Sequence, residues 1–168
     1  MKLQTDPDRA DVVLEAMTFL RDKKAPTHLR RTALTELEGE ELDRRLVVKL
    51  AREFFKEIGT SAQAKDEAAI DFASQLIDRL EKGGKFSSIA GLVHQSILNE
   101  NIPPAIRIDL MERLLVPGTA EAQAALCEAL SSRNNSVKER AYDILSMVVD
   151  TDKSPHIVNL LRQCSLAK

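Results

Sequence analysis

At 168 residues the chain is long enough for one domain with a sizeable core or for a short repeat array. Hydrophobic residues make up 43% and charged residues 30%, but aromatic residues only 4%, with no Trp and one Tyr. That balance argues against a β-sandwich or barrel and for helices built from Leu, Ala, Ile and Val. A formal net charge of -2 gives no global attraction to nucleic acid or an anionic membrane.

In chain order, Asp6-Pro7 signals the start of a first helix, with a capping residue followed by a proline whose missing N–H costs nothing there. Val12, Val13, Ala16, Met17 and Leu20 give that helix its apolar face, and Lys23-Lys24-Ala25-Pro26 breaks it. Leu29, Ala33 and Leu37 carry the second helix, ending near Gly39. Glu40-Glu41 open the third, where carboxylates suit the positive end of the helix dipole. Leu42, Leu46, Val47, Leu50, Ala51, Phe54, Phe55 and Ile58 form its broad apolar face, and Gly59 closes it.

Thr60 and Gln63 have capping-box spacing ahead of the fourth helix, in which Ala69, Ala73, Leu76, Ile77 and Leu80 run i, i+4, i+7, i+8, i+11. Gly83-Gly84 ends it. The fifth helix spans about Ser87 to Asn99. Pro103-Pro104 starts the sixth, with Ile106, Leu110 and Leu114 on one side, and Pro117-Gly118 turns the chain. Thr119 caps the seventh, whose face is Ala122, Ala125, Leu126, Ala129 and Leu130. Asn134-Asn135 turns into the eighth, with Ser136 and Glu139 spaced as a capping box and Val137, Ala141, Ile144, Leu145 and Val148 as its stripe. Ser154-Pro155 starts a last helix with Ile157, Val158, Leu160, Leu161 and Cys164.

Connections are short and no Gly/Ser-rich linker divides the chain, so a single domain over 1–168 is expected. The N-terminal segment lacks the apolar core of a secretory signal, and no apolar run approaches the ~18 residues of a membrane span. Cys127 and Cys164 form no CxxC pair and read as buried free thiols of a reducing compartment. A cytoplasmic protein without membrane insertion is expected.

The even-numbered helices repeat one another. Leu29-Arg30 with Ala33 and Leu37 matches Ile106-Arg107 with Leu110 and Leu114, and Val137-Lys138 with Ala141 and Leu145. Ala69, Ala73 and Ile77 keep the apolar pattern, with Ile70 in place of the basic residue. The starts at 29, 69, 106 and 137 give periods of 40, 37 and 31 residues. Two helices per period of this length mark a helical solenoid, in which neighbouring hairpins complete one another's core.

On these apolar-basic pairs, with Ala33, Ala141 and the polar turn Arg133-Asn134-Asn135, the chain resembles the HEAT and armadillo-like repeat families. The acid usual in the turn before the second helix of a repeat is Asn here. The resemblance implies an all-α, right-handed α-α superhelix: four hairpins over about 6–39, 40–83, 86–117 and 118–151, and a C-terminal capping helix over 154–166. An adaptor-type superhelix resembling VHS or ENTH domains is the alternative.

No stretch announces a reaction. Glu81-Lys-Gly-Gly-Lys-Phe-Ser-Ser88 lacks the full spacing of a phosphate-binding loop and follows a helix, where a strand is required. His28, His94 and His156 have no partner at metal-ligand spacing, and no GxSxG occurs. A non-catalytic protein with no cofactor or metal is expected.

The second helix of each hairpin, its B helix, is more informative. Opposite the buried stripes, at roughly 100° per residue, lie Arg31, Thr35 and Glu38, then Asp71, Gln75, Asp78 and Lys82. Ile108, Glu112 and Leu115 follow on the third B helix, and Glu139, Asp143, Ser146 and Asp150 on the fourth. The resemblance implies that B helices line the concave, partner-binding surface. Glu38, Asp71, Asp78, Glu112, Glu139, Asp143 and Asp150 would make it acidic, with an apolar spot at Ile108 and Leu115. Such a surface repels phosphate and favours a basic or amphipathic protein segment. A competing reading is nucleic-acid binding through Arg30, Arg31, Arg44, Arg45, Lys49 and Arg52.

Overall fold

The computed structural model describes residues 7–60, 67–82, 89–115, 119–148 and 155–166. Among these, all regular structure is helical: α1 (Pro7–Arg21), α2 (Thr27–Glu36), α3 (Arg44–Thr60), α4 (Glu67–Lys82), α5 (Ala90–Leu98), α6 (Pro104–Arg113), α7 (Ala120–Ala129), α8 (Asn135–Val148) and α9 (Pro155–Leu166). The all-α reading therefore stands. The Gly83-Gly84 break, Pro117-Gly118, Gln63, Asp150 and the Lys85–Ser88 part of the loop-like motif lie outside the described residues. No helix is long and apolar enough to cross a membrane among the described residues.

The chain forms two compact units, residues 1–84 and 85–168. In the first, α1 packs on α2, α3 on α4, and the two hairpins meet through α2 and α4. Its core joins Leu20, Leu34 and Leu37 to Leu50, Phe54, Phe55, Ile58, Phe72, Leu76 and Leu80. Phe54 meets Phe72 edge-on at 4.9 Å between ring centroids, a favoured aromatic geometry. Phe72, three residues after Ala69 and four before Leu76, is buried on the same stripe as the five residues read for α4.

In the second unit, α5 pairs with α6 and α7 with α8, while α5 also touches α7 and α6 touches α8. Val93, Ile97, Ile106, Leu110, Leu126, Val137, Ala141 and Leu145 are buried there, as is Ile157 of α9. Small residues on α7 (Ala122, Ala125, Ala129) allow close helix approach.

Several helix ends differ from expectation. Helix α3 starts at Arg44 rather than at Glu40-Glu41. Asp43 accepts the Arg45 N–H at 2.8 Å and its carbonyl takes the first helical bond, from Val47. Gly59 stays inside α3, buried, and Thr60 ends it, its hydroxyl close to the carbonyls of Lys56 and Glu57. Thr119 caps α7 as read, accepting from Ala122 N at 3.2 Å. For α8 the cap is Asn134, not Ser136: its Oδ1 accepts from Val137 N at 3.1 Å.

Candidate functional site

The sequence places α2 and α4 forty residues apart, and their side chains meet in that register. Arg31 pairs with Asp71 at 3.0 Å, and Thr35 Oγ1 lies 3.2 Å from Gln75 Oε1. One turn further, Glu38 and Asp78 line a cleft of about 440 Å³ between the two helices. Glu40, Glu41, Arg79 and Lys82 also border it.

The cleft is built by the way α2 stops. Glu38 N and Glu40 N donate to Thr35 and Leu37 carbonyls, and Gly39 takes φ +86°, a left-handed conformation that glycine adopts without strain. This turn leaves the Leu37 and Glu40 carbonyls facing α4. Arg79 donates to both, Nη2 to Leu37 at 2.7 Å and Nη1 to Glu40 at 2.9 Å. Its guanidinium is thus committed to backbone. Glu40 also lies 3.4 Å from Arg9. Glu38, Glu40, Glu41 and Asp78 then face Arg79 and Lys82, with Arg9 beside Glu40, at the negative end of the α2 dipole, so carboxylates still outnumber cations and the cleft favours positive charge.

In the second unit the same row behaves differently. Glu112 pairs with Arg140 of α8 at 2.7 Å. Glu139 and Asp143 are exposed on α8. Ile108 is half-buried. Leu115 is no exposed apolar spot: it is 7% exposed. The helix ends at Arg113, and Leu115 N turns back to the Leu110 carbonyl, carrying the side chain inward. The expected face therefore loses Leu115, and Asp150 lies outside the described residues.

Of the basic residues flanking the stripes, Arg30 and Arg107 are buried and Lys138 is half-buried. Arg107 is 1% exposed. It donates from Nε to the Ile97 carbonyl at 2.6 Å, from Nη1 to Glu100 at 3.0 Å and from Nη2 to Ser132 Oγ at 3.1 Å. It thereby ties the end of α5 and the α5–α6 turn to the turn before α8. Glu100 also accepts from Arg133 N at 3.2 Å. Burial pushes the Glu100 carboxyl up, but hydrogen bonds from Ser132, Arg133 N and Arg107, with the Arg107 charge, outweigh it and set its pKa below the ordinary value. An acid of the α5–α6 turn therefore holds the basic residue of the B helix that follows it.

Arg30, also buried, lies over the Phe72 ring at 5.5 Å, and its Nε and Nη2 have no hydrogen-bond partner among the described residues. With Arg31 paired to Asp71, two of the six basic residues of the nucleic-acid reading are spent inside the first unit. Arg44, Arg45, Lys49 and Arg52 are exposed on α3.

The turns ahead of these two arginines are alike. Lys24 N and Asn101 N donate to Asp22 and Asn99 side chains, both at 2.9 Å. Ala25 N and Ile102 N return to the Asp22 and Asn99 carbonyls, and Arg30 N and Arg107 N to those of Pro26 and Pro103. Where one turn holds Glu100 the other holds Lys23, which pairs with Glu53 at 3.3 Å.

Cys127 is partly buried, and the Cys164 side chain lies outside the described residues. Comparison with protein-family models, with curated proteins and with solved structures gave no match to this chain.

Proposed function

We propose that the chain is a non-catalytic, HEAT-like protein-interaction module that takes a basic or amphipathic partner segment on its B-helix face, anchored in the cleft between α2 and α4. The observation that carries this reading is the charge of that cleft: Glu38, Glu40, Glu41 and Asp78 converge at the carbonyl end of α2, with Arg79 tied to backbone. A lysine or arginine side chain entering it meets carboxylates and helix dipole together. Glu139 and Asp143 offer a second acidic patch on α8. The forty-residue register of α2 on α4 and the matching turns before Arg30 and Arg107 support the repeat reading.

Asp71 is a poor probe, because reversing it breaks the pair with Arg31. Glu38 and Glu41 are exposed and border the cleft. A fluorescent lysine- and arginine-rich peptide is expected to bind the wild-type chain, more weakly as salt rises. Glu38→Lys with Glu41→Lys is expected to weaken binding about tenfold or more with an unchanged circular dichroism spectrum. Equal binding by that variant and the wild type would remove the cleft from the account.

A further inference from the structure

Helix α1 is apolar on more than the side it buries. Ala16 and Leu20 are buried within the first unit. Ala10, Leu14 and Met17, at i, i+4 and i+7, share a second stripe about 100° around the helix from the buried one. Leu14 is 68% exposed, whereas an unremarkable surface position of a small domain would carry a polar residue. With Val13, these residues floor a trough of about 470 Å³, bordered by Arg9, Arg21 and Glu40.

The helix is also polar end to end in its charges. Asp11 and Glu15 are exposed in its first half, and Arg21 and Lys24, with Asp22 and the Glu53-paired Lys23 between them, are exposed at its close and just beyond it. Arg9 is already engaged, donating to the Glu36 carbonyl at 2.7 Å and lying beside Glu40. A parallel neighbour with the same sequence would set like charges side by side. An antiparallel one sets Arg21 and Lys24 near Asp11 of the other helix at both ends, with the helix dipoles opposed.

We infer that two copies of this chain dock α1 against α1, antiparallel about a two-fold axis midway between Leu14 and Met17. The interface is isologous, Leu14 and Met17 of each copy filling the trough of the other. A seam of about three turns lies at or below the ~1,200 Å² of standard stable interfaces, so the dimer is weak and concentration-dependent.

Sedimentation equilibrium of the full chain from about 1 μM to 1 mM tests this, a range set by the affinity expected of so small an interface. The wild type is expected to shift from monomer to dimer across it. Leu14→Asp is expected to stay monomeric with unchanged helical circular dichroism and melting, as its position is exposed. Asp11→Arg and Arg21→Glu, made singly, are each expected to weaken the dimer about tenfold. The two combined in one chain restore it, because each new glutamate meets a new arginine. The inference is overturned by a wild type that stays monomeric at every concentration, including one whose trough instead takes a foreign helix. A Leu14→Asp chain that dimerises as well as wild type, or a combined variant no tighter than the single ones, overturns it too.

Discussion

Arg30 and Arg107 follow the same turn in two hairpins, yet their surroundings differ. Arg107 spends its donors on a carbonyl, a carboxylate and a hydroxyl. Arg30 rests its guanidinium on Phe72 and leaves Nε and Nη2 without partners among the described residues. A buried charge is tolerated when paired and costs stability when it is not. Arg107→Met should therefore lose about 2–3 kcal/mol, the scale of hydrogen bonds to charged groups. Arg30→Met keeps the apolar stem and removes an under-satisfied cation. It forfeits a cation–π contact of about 1–2 kcal/mol, and the two effects should nearly cancel. Urea denaturation of both variants checks the contrast, and equal losses would contradict it.

At the scale of elements, the apolar stripes of α3, α4, α7 and α8 were legible because burial follows helical period: Ala69, Ala73, Leu76, Ile77 and Leu80 are all buried. Helix starts were less so, because several residue types compete to cap one end. The Ser136–Glu139 spacing looks like a capping box, but Asn134 stands earlier and is held by its own N–H to Ser132 Oγ at 3.2 Å. Its side chain reaches Val137 N first. Asn134→Ala should cost about 1 kcal/mol, while Ser136→Ala should cost a few tenths at most. Thermal melts of the two variants decide between the caps, and the reverse order would favour Ser136. Leu115 was misplaced for a related reason: helical spacing was carried past Arg113, where the helix has already ended.

At the scale of the whole molecule, the forty-residue spacing of the first two B helices was readable, and it sets Arg31 against Asp71 and Thr35 near Gln75. The cleft beyond them was only half legible. Glu38 and Asp78 were named from helix phase, whereas Glu40, Glu41 and Arg79 join through the backbone turn at Gly39, which periodicity does not describe. Glu100 lies between helices, where helical period assigns no face, so the sequence pattern carries no sign of its role.

The matched turns of the two units make their parts exchangeable. Lys23 stands seven residues before Arg30, as Glu100 stands before Arg107, and the backbone around both is hydrogen-bonded alike. Transplanting the acid, as Lys23→Glu together with Glu53→Gln, gives up a surface pair worth within about 1 kcal/mol. It offers the stranded guanidinium a carboxylate worth about 1.5–3 kcal/mol. A raised melting midpoint would mean that one hairpin can be repaired by copying from its counterpart, while an unchanged or lowered one would mean that Phe72 holds Arg30 out of the graft's reach.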